Sequence, residues 1–210
     1  MSRSRRDAWV DAAGAVLMAL ATVATAWSGY QASRWNGEQA TTAGRANAAR
    51  IESTRASSLA DAQTQIDVAT FTQWVDAYAR GERELAAFYR RRFRPEFAPA
   101  ATAWVATRPL RNREAPLTPF AMPEYHLAAR DEADALEARA DALAGRVRVN
   151  VQRATNYVLA VVLFAATLFF AGMSARLESP RIRVALLAMG ATVFLGTVVW
   201  VATSPVSMSI

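Results

Sequence analysis

AAGAVLMALATVATAWSGYQAS, residues 12–33, decides how the rest of the chain is read. No charge falls between Asp11 and Arg34. At about 1.5 Å per residue a helix over this run reaches about 33 Å, enough to cross a hydrocarbon core of about 30 Å. Two further uncharged runs, 154–175 and 184–203, lie near the C-terminus. Together they predict an all-α membrane protein with three transmembrane helices. Residues 34–153 become a helical extramembrane domain, an antiparallel helix pair tethered to the bilayer at both ends.

The flanks set the expected orientation. Arg3, Arg5 and Arg6 lie in the basic N-terminus 1–11, and Arg176, Arg181 and Arg183 fill the short connector 176–183. Positive residues in short loops stay cytoplasmic. The N-terminus and connector are therefore expected inside a bacterial inner membrane, with 34–153 periplasmic and the uncharged tail 204–210 on that same outer side. Arg139, Arg146, Arg148 and Arg153 pull the other way, but long segments largely escape the rule. The N-terminus also fits a cleavable signal peptide, because Ala24-Thr25-Ala26 is an A-x-A site behind an apolar core. The helical pattern continues past that site without a turn signal, which favours a retained anchor.

The chain is 53% hydrophobic yet 20% charged, so its apolar residues must segregate, and they do so in the three runs. All 24 basic residues are arginine, and the net charge of +6 is spread over membrane flanks and a loop rather than gathered on one face. No nucleic-acid partner is expected from that distribution. The absence of cysteine excludes disulfides, thiolate metal sites and a cysteine nucleophile. With a single histidine, His126, most imidazole metal sites are excluded too.

Aromatic residues cluster where headgroups would lie: Trp9, Trp27, Tyr30, Trp35, Tyr157 and Trp200 read as interface anchors. Within the first run Ala13, Leu17, Ala21, Thr25, Gly29 and Ser33 recur every four residues, mostly small side chains that let another helix approach closely. An alanine-rich helix in an alanine-rich protein gives the same pattern without a packing role. Beyond Gly37 the helical pattern extends to Phe93, with Gly81 as a kink; residues 41–65 are small and polar, and the aromatic half that follows is expected to hold the core. From about Glu124 helix returns, and Ala129, Ala133, Leu136, Ala140, Leu143 and Val147 form a heptad-like seam. Its partner is expected to be the helix leaving the first span, running antiparallel, or the same helix of another subunit.

Arg90, Arg91, Arg92 and Arg94 form the densest charge run, followed by Pro95 and Pro99. It reads either as an anion or acidic-lipid patch, joined by Arg108, Arg111 and Arg113, or as a solvated face helped by the helix C-terminal dipole. Ala100 to Thr107 reads as a short helix around Trp104. Pro109, Pro116, Pro119 and Pro123 forbid regular structure over 108–123, the expected tip loop.

Nothing in the sequence supplies reaction chemistry. No phosphate loop, dinucleotide fingerprint, nucleophile elbow or HExxH is present, and no carboxylate interrupts a span. The acids Asp131, Glu132, Asp134, Glu137 and Asp141 alternate with Ala and Arg, as a solvated first helical stretch does. No enzymatic activity and no cofactor is expected.

The segments ATVATAWSGYQASRWNGEQA, QIDVATFTQWVDAYARGE, PLTPFAMPEY and NYVLAVVLFAATLFFAG resemble a functionally uncharacterised family of bacterial three-span inner-membrane proteins. The resemblance implies location and topology but no activity. The expected function is an integral membrane structural or interaction protein, whose partners are the lipid bilayer and either further copies of itself or another membrane protein. The alternative is a small oligomeric channel or transporter subunit lined by Thr22, Thr25, Ser28 and Gln31.

Overall fold

The computed structural model describes the backbone of residues 5–207 and the side chains from residue 8 onward. Arg3, the Arg5 and Arg6 side chains, and tail residues 208–210 lie outside the described residues. The elements in order are α1 (Arg5–Ala79), α2 (Arg83–Arg90), α3 (Ala98–Ala106), a 3-10 turn (Pro119–Ala121), α4 (Ala128–Arg176) and α5 (Pro180–Ala202), with no strand among the described residues. Three helices, α1, α4 and α5, are long and apolar enough to cross a membrane. The chain divides into two compact units, one of Met1–Gly44 with Leu143–Ile210 and one of Arg45–Ala142.

In the first unit α1, α4 and α5 form an up-down-up bundle whose packing is inverted relative to a soluble protein. The buried positions are small or polar: Ala21, Ser28, Gln31, Ala160, Thr167 and Ala171 are fully buried. Large aliphatic side chains look outward, as with Val23, Leu195 and Val199. Lipid tails are as apolar as leucine, so spans associate through close approach of small residues and hydrogen bonds rather than by hiding large side chains. Gly190 shows the closeness: a Cβ added there would meet Phe170 Cβ at 3.3 Å and the Thr167 carbonyl oxygen at 3.5 Å. Buried residues of α1 in this unit fall at Gly14, Leu17, Ala21, Ser28, Gln31 and Trp35, with Ala32 beside them, and the first six follow the alternating three and four steps of a coiled-coil seam.

Both ends of this bundle are fastened. At one, Arg183 at the start of α5 pairs with Asp11 of α1. At the other, the Gln31 amide oxygen accepts from Ser207 N at 3.0 Å, and the Tyr157 hydroxyl donates to Pro205 O at 3.2 Å, so residues 205–207 fold back onto the helices. Ala32, Trp35, Ala154 and Tyr157 pack into one cluster there, with the Arg153 guanidinium 4.5 Å from the Trp35 ring centroid.

In the second unit α1 and α4 run antiparallel. Ser53 Oγ donates to Ala133 O at 3.0 Å, Arg50 pairs with Asp141 at 3.1 Å and Arg130 with Asp61 at 2.5 Å. Ala49, Ala56, Ala60, Ala129, Ala133 and Ala140 are buried between them. The helical reading to Phe93 is corrected. Helix α1 ends at Ala79, where Gly81 takes φ +77, Gly81 N donates to Tyr78 O and Glu82 N to Ala77 O. That pair of bonds is a Schellman cap, and it needs the left-handed conformation glycine adopts without strain. Helix α4 begins at Ala128, later than the expected Glu124, because Tyr125 turns into the aromatic core before helical bonding starts.

Candidate functional site

Aromatic rings fill the second unit. Phe97 is fully buried, with Phe93 at 4.9 Å, Phe120 at 5.1 Å and Tyr125 at 5.9 Å between ring centroids. Phe71 adds edge-on contacts to Phe97 and Trp104. Short helix α3 cannot bury much area alone, and the edge-on contact of its Trp104 with Phe71 holds it to α1.

Inside this ring cluster sits a carboxylate. Asp67 is fully buried; its Oδ2 accepts from Arg94 Nη1 at 2.9 Å and from the Tyr125 hydroxyl at 3.1 Å. Arg94 also reaches Glu96 at 3.0 Å, and Tyr125 lies 3.3 Å from Thr64 Oγ1. Burial pushes the Asp67 carboxyl above its ordinary value, outweighing the opposing pull of Arg94 and of the Tyr125 hydrogen bond. The Tyr125 phenol is likewise raised, first by burial and then by the Asp67 charge. Oδ1 of Asp67 has no hydrogen-bond partner among the described residues. The knot ties α1 to the segment after α2 and to the approach of α4.

Beside it opens a cleft of about 720 Å³ between the end of α1, α2, α3 and the loop after α3. Trp74, Tyr78 and Trp104 supply aromatic wall, and Arg83, Arg90, Arg108 and Arg111 supply charge, with no acidic residue in the lining. Among the described residues no carboxylate lies within ion-pair distance of these four arginines, whereas Arg80 and Arg94 are paired. Arg108 follows α3 with φ 55, a left-handed position that glycine usually fills. Its carbonyl accepts from Arg111 N and Asn112 N, and the Trp104 indole donates to Pro116 O at 2.6 Å, so the loop that carries two of the arginines is bonded in place.

The arginine run is therefore divided rather than gathered. Arg90 lines the cleft, Arg91 caps α2 through its backbone, Arg92 lies 4.2 Å over the Phe88 ring centroid and Arg94 holds Asp67. Of the arginines expected to join the run, Arg108 and Arg111 reach the cleft and Arg113 does not line it. Neighbouring positions in a chain cannot share one face where a helix ends.

Trp9, Trp27 and Tyr30 face outward, Trp200 is half-buried, and Trp35 and Tyr157 are buried. The last two thus turn into the bundle, because they lie on the heptad face. Leu17 and Ala21 are buried, Thr25 is half-buried, and Gly29 and Ser33 face outward. A strict spacing of four advances about 40° per step on a helix of 3.6 residues per turn, so the row, exposed at Ala13, crosses the inner side and leaves it again. Leu136, Leu143 and Val147 are half-buried beside the fully covered alanines. Thr22 faces outward and Thr25 is half-buried, both bonded to carbonyls of their own helix, while Ser28 and Gln31 are buried, so these four do not line one face. His126 is exposed and pairs with Asp131 at 2.7 Å.

Asp67, Tyr125 and the cleft arginine Arg83 were not marked by any motif. The available signal was positional: Ala60, Asp67 and Trp74 are seven apart, so a carboxylate stands on an otherwise inward row. Comparison with known proteins finds no matching family model, no matching curated protein and no matching solved structure.

Proposed function

We propose that this chain is a self-associating structural or interaction protein of the bacterial inner membrane. Its helix-pair domain stands on the periplasmic side and its N-terminus and connector face the cytoplasm. One observation carries the self-association. On α1 of the second unit Ile51, Leu59 and Ile66 are 55%, 53% and 54% exposed, while the inner side of the same helix buries Ala49, Ser53, Ala56 and Ala60. Leaving large aliphatic side chains uncovered while burying alanines is unfavourable in water unless a second surface covers them, and a further copy of this helix is the simplest one. Topology is supported by the short basic connector and by the Arg183 to Asp11 pair, which puts the connector and the start of α1 at the same end of their bundle.

The test is the oligomeric state of the full chain in detergent by light scattering. The wild type is expected to be a discrete oligomer, and Leu59→Asp with Ile66→Asp a monomer of unchanged helicity. A wild type that is monomeric at every concentration ends this reading. For topology, Pro116→Cys should be labelled by a membrane-impermeant thiol reagent in spheroplasts and Ser179→Cys should not; the reverse pattern turns the protein over.

A further inference from the structure

The cleft bounded by Trp74, Tyr78 and Trp104 has an anionic occupant written into its chemistry. Its volume of about 720 Å³ lies in the range of small-molecule sites, which run from about 300 to 1,000 Å³. Most of its wall is apolar, and the only charged groups on it are four arginines. Four guanidinium groups around one cavity repel one another unless an anion or solvent screens them, and in most surface arginine clusters nearby carboxylates do this. Here Arg83, Arg90, Arg108 and Arg111 have no such carboxylate among the described residues, although Asp67, Asp76 and Glu96 neutralise Arg80 and Arg94 close by. The acids paired nearest the cleft thus serve other arginines.

A second, independent feature points the same way. Arg108 holds a left-handed backbone conformation at the end of α3, where glycine would sit without strain. Strained positions persist where the side chain they place has a use, and this one carries a guanidinium that lines the cleft.

We infer that this cleft binds an organic anion with a planar or acyl apolar body and a phosphate or carboxylate head, the body stacking on Trp74 and Trp104 and the head held by the arginines. Arginine suits such a head because its planar fork donates two parallel hydrogen bonds to phosphate or carboxylate oxygens. Tryptophan and tyrosine walls supply stacking for a flat body. An inorganic anion leaves the apolar wall uncovered, and a neutral hydrophobe leaves the arginines unpaired, so both are expected to bind more weakly than a molecule with both parts. This inference does not depend on self-association or on which side of the membrane the unit occupies.

The experiment uses the full chain in phosphatidylcholine nanodiscs and titrates it calorimetrically with 1-naphthyl phosphate, with inorganic phosphate and 1-naphthol as comparisons. Saturable one-site binding is expected, about tenfold or more tighter than either comparison and weakening as salt is raised. Arg90→Ala with Arg111→Ala should weaken it about tenfold or more, the scale of losing charge-assisted bonds. Ala87→Trp, which fills the cleft from an exposed helical position, should do the same. Arg108→Gly keeps the loop unstrained, so weakened binding with an undiminished melting temperature separates loss of the guanidinium from loss of the fold. Replacing a third of the lipid by phosphatidylglycerol identifies the source: competition assigns the cleft to an anionic bilayer lipid, and its absence assigns it to a soluble amphiphile. No saturable binding at millimolar probe, equal binding by Ala87→Trp, or equal binding of inorganic phosphate overturns the inference.

Discussion

Asp67 is the residue whose environment has the sharpest consequence. Its folded pKa is raised above the ordinary value, so the native state holds the proton more tightly than the unfolded chain does. The stability this brings is fully present below the unfolded value of about 3.9 and is lost as pH rises through the raised one. Asp67→Asn keeps an acceptor for Arg94 and Tyr125 but cannot ionise. Its melting temperature relative to wild type should therefore climb as pH rises from about 4 through the raised value and then level off, followed by tryptophan fluorescence of the detergent-solubilised chain. A difference that stays flat or narrows with rising pH would mean that folding does not raise the affinity of this carboxylate for its proton. Arg108 offers a second check at this scale. Relief of its left-handed conformation should make Arg108→Gly stabilising by up to about 1 kcal/mol, partly offset by the added freedom of glycine in the unfolded chain. Gly81→Ala should do the reverse and cost about 1 kcal/mol, since φ +77 is strained for any side chain with a Cβ.

At the scale of elements the long helices are sorted by which side chains they turn inward. Ala60 is fully buried against Leu127 and Ala129. Ala60→Leu is therefore expected to cost about 1 to 3 kcal/mol through overpacking, while the same change at exposed Ala62 stays within about 0.5 kcal/mol. Chemical denaturation followed by the fluorescence of the ring cluster reads both. If the two substitutions cost the same, the alanine seam is not the packed face. The heptad of Ala129, Ala133, Leu136, Ala140, Leu143 and Val147 was legible because an alternation of three and four survives as long as the helix does. The end of α1 was harder to read. A lone glycine in a helical pattern is compatible with a kink or a stop, and here the stop depends on two bonds to Tyr78 and Ala77 carbonyls that no local pattern announces.

For the whole molecule, insertion and packing answer to different physics and should separate under mutation. Partition into lipid depends on the summed hydropathy of each run, whereas bundle packing depends on contacts as close as those at Gly190. Gly190→Leu should lower the melting temperature of the solubilised chain and leave its resistance to alkaline carbonate extraction unchanged. Loss of the chain from carbonate-washed membranes would mean that packing governs insertion here.

What the sequence determined by itself is what depends on sums and periods: three uncharged runs each long enough to span, the proline-broken stretch before α4, and a heptad seam that needs a partner. Each is a one-dimensional property, because transfer free energy adds along a run and helical registry repeats along it. What only the tertiary structure decided is which residues meet. Trp35 and Tyr157 face inward because the heptad face, not their chemistry, sets their direction. Asp67, Arg94 and Tyr125 converge from separate segments, and Arg90 leaves its sequence neighbours to join Arg83, Arg108 and Arg111 around one cleft. Charge adjacency along a chain fixes no direction in space; the cap at Gly81, the left-handed turn at Arg108 and the packing of rings around Phe97 do.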